Sequence, residues 1–326
     1  MPVRRHLLVA AVLAAATPAQ AHHLPLVVQL NLPLHAAVAG YYVAEFQGFY
    51  DEAEVAVALV PGGTDIDPAQ ALADGPANVI VERMPAALAA RERGVPLVHI
   101  GQAFARSALR LLCWADSGIR TPADLKGRKI GVWVDDSRDL VLAWLAGLGV
   151  RPGDATIVPQ EHDAALLQDR LVDCISAMSY DEEAQLTDAG VAPDRLAVIA
   201  ADAYGPAPLE DGIWVREDLL ADPDMVRTFA AFLYATQRGW EWARANPVEA
   251  VRIVQESDAA KTLAEKPQVR RMHEVNRLAE GAPVRLDADA FERTVRLLLA
   301  TSSPTGITRA PTGAWTHAPA DEAGLP

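Results

Sequence analysis

The chain has 326 residues, 43 of them acidic and 29 basic, giving a formal net charge of −14, and 51% of it is hydrophobic. At roughly 150 residues per domain the length suits about two domains, and the apolar content supplies a core for each, which excludes disorder over most of the chain. The acid excess excludes a nucleic-acid binder, which needs a basic face to displace counterions, and a polybasic membrane binder; the presence of only Cys113 and Cys174 excludes a disulfide scaffold and a Cys-rich zinc module.

Arg4 and Arg5 precede an apolar run over 7–16, which Pro18 and Ala19-Gln20-Ala21 follow. About ten residues at ~1.5 Å rise cannot cross a bilayer core about 30 Å thick, so the run predicts a secretory signal peptide, 1–21, cleaved after Ala21. No cysteine follows it, so the expected product is soluble, exported, unlipidated and periplasmic, starting at His22. His22 and His23 could chelate copper with help from His35 or His99; a solvated terminus is the plainer reading.

From Pro25 onward, short β-rich runs alternate with helical stretches. Strands are predicted over 26–30, 55–60, 78–81 and 95–101, with helices over 37–47, 68–73 and 85–92 between them. Strands over 109–114, 129–133, 156–159, 172–178 and 196–200 follow, with helices over 139–148, 163–168 and 181–188. Thr121-Pro122 starts a short helix, with Thr as N-cap and Pro at the first helical position. A further strand spans 212–215. From Asp222 the pattern is helical. The stretch 223–245 carries Phe229, Phe232, Leu233 and Trp240 on one apolar side, and helices over 247–256, 269–278 and 287–301 come after it. The Pro- and Thr-rich segment 302–326 reads as a tail, lying on the surface or mobile.

Repeated strand–helix units predict an α/β fold with mostly parallel sheets. The block 109–208 has its own strands and helices and predicts a second lobe; 22–108 together with 209–301 predict a discontinuous first lobe. The chain then crosses twice between lobes, and a cleft at such a hinge is where ligands bind. Cys113 and Cys174 both fall on strands of the central block. They read first as two buried thiols, and a bridge is permitted in an oxidising compartment.

Several stretches, taken in order, resemble a known group. These are Ala39-Gly40-Tyr41-Tyr42-Val43-Ala44 running into Gly48-Phe49-Tyr50, then Val60-Pro61-Gly62-Gly63, Gly94-Val95-Pro96-Leu97-Val98 and Thr121-Pro122-Ala123-Asp124-Leu125-Lys126-Gly127. Ile130-Gly131-Val132-Trp133, Ser179-Tyr180-Asp181-Glu182 and Gly239-Trp240 with Asn246-Pro247 complete the set. Together they resemble solute-binding proteins of ABC importers in the thiamine-pyrimidine and riboflavin-precursor branch, which shares its fold with thiamine pyrimidine synthase. The resemblance covers nearly all of the chain between leader and tail. It implies a two-lobed type II periplasmic binding protein, each lobe a mostly parallel sheet flanked by helices, with two hinge crossovers. It also implies a monomer without a cofactor, working with an ABC permease and ATPase in the inner membrane. The chain departs from the group where Tyr180-Asp181-Glu182 replaces Tyr-Asn-Glu, and in its entry loop Gln29-Leu30-Asn31-Leu32-Pro33-Leu34-His35.

A receptor for a flat heteroaromatic needs rings to stack on and polar groups in the ring plane. Tyr41, Tyr42, Trp133 and Tyr180 are candidates for stacking, although Tyr at a helix start is often packing. Glu182 can accept hydrogen bonds from an amino edge, or can simply complement a helix dipole; Asp181 and Asp136 would support it. On this reading Glu182→Gln weakens binding and leaves folding nearly untouched, and closure buries Trp133. Asn31, Glu82, Gln102 and Ser107 lie at strand ends of the first lobe, and the Gly62-Gly63 turn can offer backbone N–H groups or be only a turn. Trp240 reads as core and Trp242 as lobe edge.

The expected function is a periplasmic receptor that closes on a small planar nitrogen heterocycle, either an aminopyrimidine or a riboflavin-like ring. The alternative is an oxyanion receptor for sulfonate, nitrate or taurine. That reading wants Arg and Ser/Thr in the cleft, whereas the candidates lean acidic and aromatic. An enzyme like the pyrimidine synthase is a third reading, disfavoured because no two cysteines are close and no hydrolase elbow, phosphate loop or zinc-protease motif occurs.

Overall fold

Short runs of Val, Ile and Leu, interrupted by Gly, Pro and Asp, are long enough for strands of four to six residues, and these assemble into two five-stranded sheets. The structure, a computed structural model, describes residues 25–63, 65–134, 137–204, 207–280, 284–300 and 306–326. The expected leader, His22, His23 and Asp136 lie outside the described residues.

The first sheet is fed by β1 (Leu26–Gln29), β2 (Val57–Val60), β3 (Val79–Arg83) and β4 (Leu97–Gln102). These alternate with α1 (Ala39–Phe46), α2 (Phe49–Glu52), α3 (Pro68–Ala73) and α4 (Met84–Glu92). Asp67 caps α3 through the Gln70 N–H, with Pro68 at the first helical position. The second sheet takes β5 (Leu109–Trp114), β6 (Lys129–Trp133), β7 (Thr156–Gln160), β8 (Cys174–Met178) and β9 (Leu196–Ala200), with α5 (Ser137–Gly147), α6 (Ala165–Gln168) and α7 (Glu182–Asp188). The chain then returns as β10 (Asp211–Arg216) and ends in α8 (Pro223–Ala245), α9 (Pro247–Ser257), α10 (Glu265–Leu278), α11 (Ala288–Leu299) and α12 (Ala318–Glu322).

The strand orders are β2-β1-β3-β10-β4 and β7-β6-β8-β5-β9. In each sheet the strand that follows a crossover, β10 or β5, sits one place in from an edge and pairs antiparallel on both sides, while the other strands share one direction. The inner strands β3 and β8, and the edge strand β4, are buried on both faces, which is why they read as largely apolar runs and not as alternation.

Antiparallel pairing of β5 with β8 puts Cys113 directly opposite Cys174, with Cα atoms 4.2 Å apart, and the two form a disulfide. This corrects the reading of two free thiols. The local sequence places each cysteine on a strand but does not carry the register between them.

Two of the ordered stretches in the first lobe, around Gly40 and Gly239, turn out to be packing motifs. A side chain at Gly40 would meet the Trp240 ring at 2.1 Å, and one at Gly239 would meet the Gly40 carbonyl oxygen at 2.2 Å. Two glycines therefore let α1 and α8 approach closely, and Trp240 fills the contact. The segment 306–326, read as a tail, is laced into the first lobe: Trp315 bridges in parallel to His99 of β4, and Ile307, Ala314 and Ala320 are buried.

The lobes meet at two further places besides the crossovers. On one side α5 packs against α4 and α11; on the other α7 packs against α10.

Candidate ligand-binding cleft

Between the lobes lies a cavity of about 410 Å³. Its wall is built where strands end: the loop after β1 (Asn31 to His35), Glu82 and Arg83 closing β3, Trp133 closing β6, and Met178 to Glu182 after β8. Ligands of α/β sheets collect at this end because helix N-termini and loops converge there. Gly63 and Ile66 add to the first-lobe wall, His162 and Gln185 to the second, and α10 contributes Gln268 and Arg271.

His35 caps the turn that starts α1. Its Nδ1 accepts from the Ala37 N–H at 2.9 Å, so in the neutral ring the proton sits on Nε2. Burial pushes this imidazole down to about 4, with Asp181 opposing and Arg271 and Arg83 reinforcing the shift. The imidazole is therefore neutral near pH 7. The Tyr180 ring lies 5.9 Å from it, tilted, and the Ala36 N–H donates to Gln268 Oε1 at 2.9 Å, which ties α10 to the same loop.

Arg271 Nη1 lies 3.3 Å from Asp188 of α7, and its Nη2 lies 3.9 Å from Asp181; Arg270 Nη2 reaches Asp188 at 2.6 Å. These ion pairs join α10 to the second lobe at the cavity mouth.

The aromatic wall is Trp133, stacked on His162 with ring centroids 5.5 Å apart. Trp133 is already 1% exposed, and its Nε1 donates to Glu182 Oε1 at 2.8 Å. The other Glu182 oxygen accepts from the Met178 N–H at 2.9 Å, and His162 Nδ1 lies 3.7 Å from Oε1. Burial raises the Glu182 carboxyl above the usual range, with Asp181 adding to the rise and His162 and the Met178 N–H opposing it. Two expectations are corrected. Glu182, although in the first turn of α7, is fully buried and braces Trp133 in the cavity wall, so its replacement disturbs packing instead of leaving folding nearly untouched; and Trp133 is already buried in this structure.

Of the other candidates, Asn31, Gly63, Glu82, Tyr180 and Asp181 line the cavity. Tyr41 and Tyr42 do not. Both are buried in the first-lobe core, Tyr41 edge-on to Trp240 with centroids 5.8 Å apart, because the α1–α8 approach turns that face inward. Gln102 Nε2 donates to the Asp211 carbonyl at 2.7 Å, and Ser107 Oγ donates to Glu210 Oε1 at 2.5 Å; these two hold the crossovers and not the cavity wall. Gly62 lies under the entry loop, where a side chain would meet the Asn31 backbone at 2.3 Å, so it serves close approach and not anion binding. Asp136 lies outside the described residues. Of the histidines once weighed for copper, His35 is in the cleft, and His99 is buried in the first lobe, stacked on Trp214.

Arg83, Arg271, Gln268 and His162 were not anticipated, nor was His35 as a wall residue. The acidic and aromatic cast expected of the cleft is thus corrected: two arginines line it. Arg83 had one local signal, a charged residue ending four buried strand positions. Arg271 sits on a late helix whose sequence does not say what it faces.

Residues 35–250 match the family described as NMT1/THI5 like. The 4-amino-5-hydroxymethyl-2-methylpyrimidine phosphate synthase of Legionella pneumophila is 23% identical over 244 residues, which cover 73% of this chain and 72% of that protein. The periplasmic aliphatic sulphonate binding protein SsuA from Escherichia coli superimposes with a TM-score of 0.63 at 16% identity, covering 84% of this chain and 85% of its own. The alkanesulfonate-binding protein SsuA from Xanthomonas axonopodis pv. citri gives 0.61 at 18% identity, covering 85% and 92%. The architecture is the two-lobed α/β fold of type II periplasmic solute-binding proteins.

Proposed function

The chain belongs to the NMT1/THI5-like family, and on that premise we propose that it is the exported, soluble receptor of an ABC importer, closing two lobes on a small organic anion and delivering it to a membrane permease and its ATPase. The receptor reading is supported by the likeness in fold to periplasmic binding proteins and by a cavity enclosed between lobes. The disulfide fits an oxidising compartment.

One observation carries the anion reading. Arg83, Arg271 and the neutral His35 all line the cavity, and both guanidinium groups help to keep the His35 imidazole uncharged. Nearby carboxylates are engaged within the protein: Glu82 Oε1 accepts from the Arg83 N–H at 2.7 Å, and Glu182 is braced as described. A guanidinium fork suits sulfonate or carboxylate oxygens, and Trp133 with Tyr180 suits an organic remainder. Calorimetry against short-chain and aromatic sulfonates and carboxylates tests this. Binding that Arg83→Gln weakens tenfold or more is expected, and binding indifferent to Arg83 would overturn it.

A second reading is a planar aminopyrimidine, favoured by the Trp133–His162 stack and by the Legionella relative. It would be preferred if a pyrimidine binds more tightly than every anion and Arg83→Gln leaves that binding unchanged.

A further inference from the structure

We infer that Asp211 fixes the side-chain amide of Asn31 in one orientation, which leaves Asn31 Oδ1 as an acceptor for the solute, and that the solute therefore carries an N–H or O–H donor at this place. The inference rests on the cleft being the binding site, and it applies equally to an anion and to a heterocycle.

Asn31 Nδ2 donates to Asp211 Oδ1 at 2.8 Å. A carboxylate only accepts, so the reversed amide would set two acceptors against each other. Asn31 lines the cavity and is 8% exposed, and among the described residues no donor reaches its Oδ1. A buried acceptor left without a donor is costly, and native sites of this kind are completed by water or by ligand. The orientation is held from both ends. Asp211 opens β10 opposite Arg83 of β3, and its backbone carbonyl accepts from Gln102; burial raises its carboxyl above the usual range, and the Arg83 guanidinium and the Asn31 amide oppose the rise. The Asn31 backbone lies against Gly62, where only glycine fits. Asn31 is thus a specificity-determining residue, and Asp211 is a positioning residue acting through it.

The test compares matched pairs: 2-aminoethanesulfonate with ethanesulfonate, and 4-amino-2-methylpyrimidine with 2,4-dimethylpyrimidine. A site built to donate to or accept from a polar group discriminates strongly against an analogue that lacks it. Calorimetry on the full chain should show the amino member of the bound pair preferred by about tenfold or more. The preference should shrink to about twofold or less in Asn31→Leu, which has no acceptor, and in Asp211→Asn, whose own amide can turn either way. A merely structural role for Asp211 would change both affinities and leave their ratio. Equal binding of the two members by the unaltered protein, or a ratio retained in Asn31→Leu, would overturn the inference. If only the pyrimidine pair binds, the anion reading falls, and the ratio within that pair decides the inference. Nuclear magnetic resonance of the free protein gives a ligand-independent arm: the Asn31 side-chain amide protons should shift in Asp211→Asn, and unmoved resonances would overturn the orientation whichever solute binds.

Discussion

The two seams between the lobes are chemically opposite. Where α5 meets α4 and α11 the contact is apolar: Leu297 reaches so close to Gly147 that an added Cβ would lie 2.9 Å from its Cδ1, and Leu140, Val141 and Trp144 of α5 are buried. Where α7 meets α10 the contact is ionic, between Asp181 or Asp188 and Arg270 or Arg271, and water can replace every partner. Separating the apolar seam exposes surface at about 25 cal/mol per Å², whereas partly exposed ion pairs contribute about 0–1 kcal/mol each. The difference sets an expectation for which way the cleft opens. We expect the apolar seam to act as the pivot and the ionic seam, with the cavity arginine Arg271, as the lip.

The comparison breaks most visibly at the pivot. Leu297→Ala should cost about 2–4 kcal/mol in denaturant unfolding, by lost transfer energy and the cavity left behind, with solute affinity nearly unchanged. A smaller loss than Asp188→Asn causes would reverse the assignment of pivot and lip. Glu182→Gln, at the start of the lip helix, turns one acceptor into a donor facing either Trp133 Nε1 or the Met178 N–H. We expect it to cost about 1–3 kcal/mol and to shift Trp133 emission. Unchanged stability would leave Glu182 as no more than an acid complementing the helix dipole.

The hinge between the seams can be tested by pH. Desolvation, with Asp211 beside it, pushes the Glu210 carboxyl up to about 7 from 4.5. A folded value above the unfolded one contributes stability that is complete below 4.5 and lost as pH rises towards 7. His99 is pushed down to about 3 from 6.5 by burial, so its contribution has the other sign: complete above 6.5 and lost as pH falls towards 3. The two slopes, each at most about 1.4 kcal/mol per unit, oppose one another between pH 4.5 and 6.5. Glu210→Gln should therefore make stability fall more steeply on acidification through this window, as chemical denaturation at several pH values would show. Parallel curves would remove Glu210 from the account. The smallest effect is expected at the lip. Asp188→Asn should change stability by less than about 1 kcal/mol, yet raise the radius of gyration of the ligand-free protein in scattering and weaken any salt dependence of that radius, the Arg271–Asp181 pair remaining. An unaltered radius would make the ion pairs incidental.

What could be read from the sequence divides along a physical line. Elements set by their own residues were readable: 68–73 and 196–200 have the ends that capping and strand pattern imply. The place of β10 between β3 and β4 was not, because register with distant strands is absent from local periodicity. The cysteine pair failed for the same reason. Of the cavity lining, Trp133, Tyr180 and Asp181 were legible through their position at or just after strand ends. Tyr41 and Tyr42 were misplaced because Gly40 and Gly239, which bring α1 onto α8, are informative only as a pair. Arg83 and Arg271 reach one wall from separate elements, and no spacing rule joins them.

The two sheets share one pattern of strand order but are completed at different times as the chain is made. In the second, the reversed strand β5 is the first of its five, so every partner that β8 and β9 need already exists when residue 200 is reached. In the first, the reversed strand is β10, the last, and β4 joins that sheet only through it. Until 211–216 is present, β3 and β4 each offer an unpaired, apolar edge, the kind of surface that recruits foreign strands. A chain emerging in order should therefore complete its later lobe first and leave the earlier one open to aggregation, so that a truncation ending just before Asp211 is more hazardous than one ending just after Arg216.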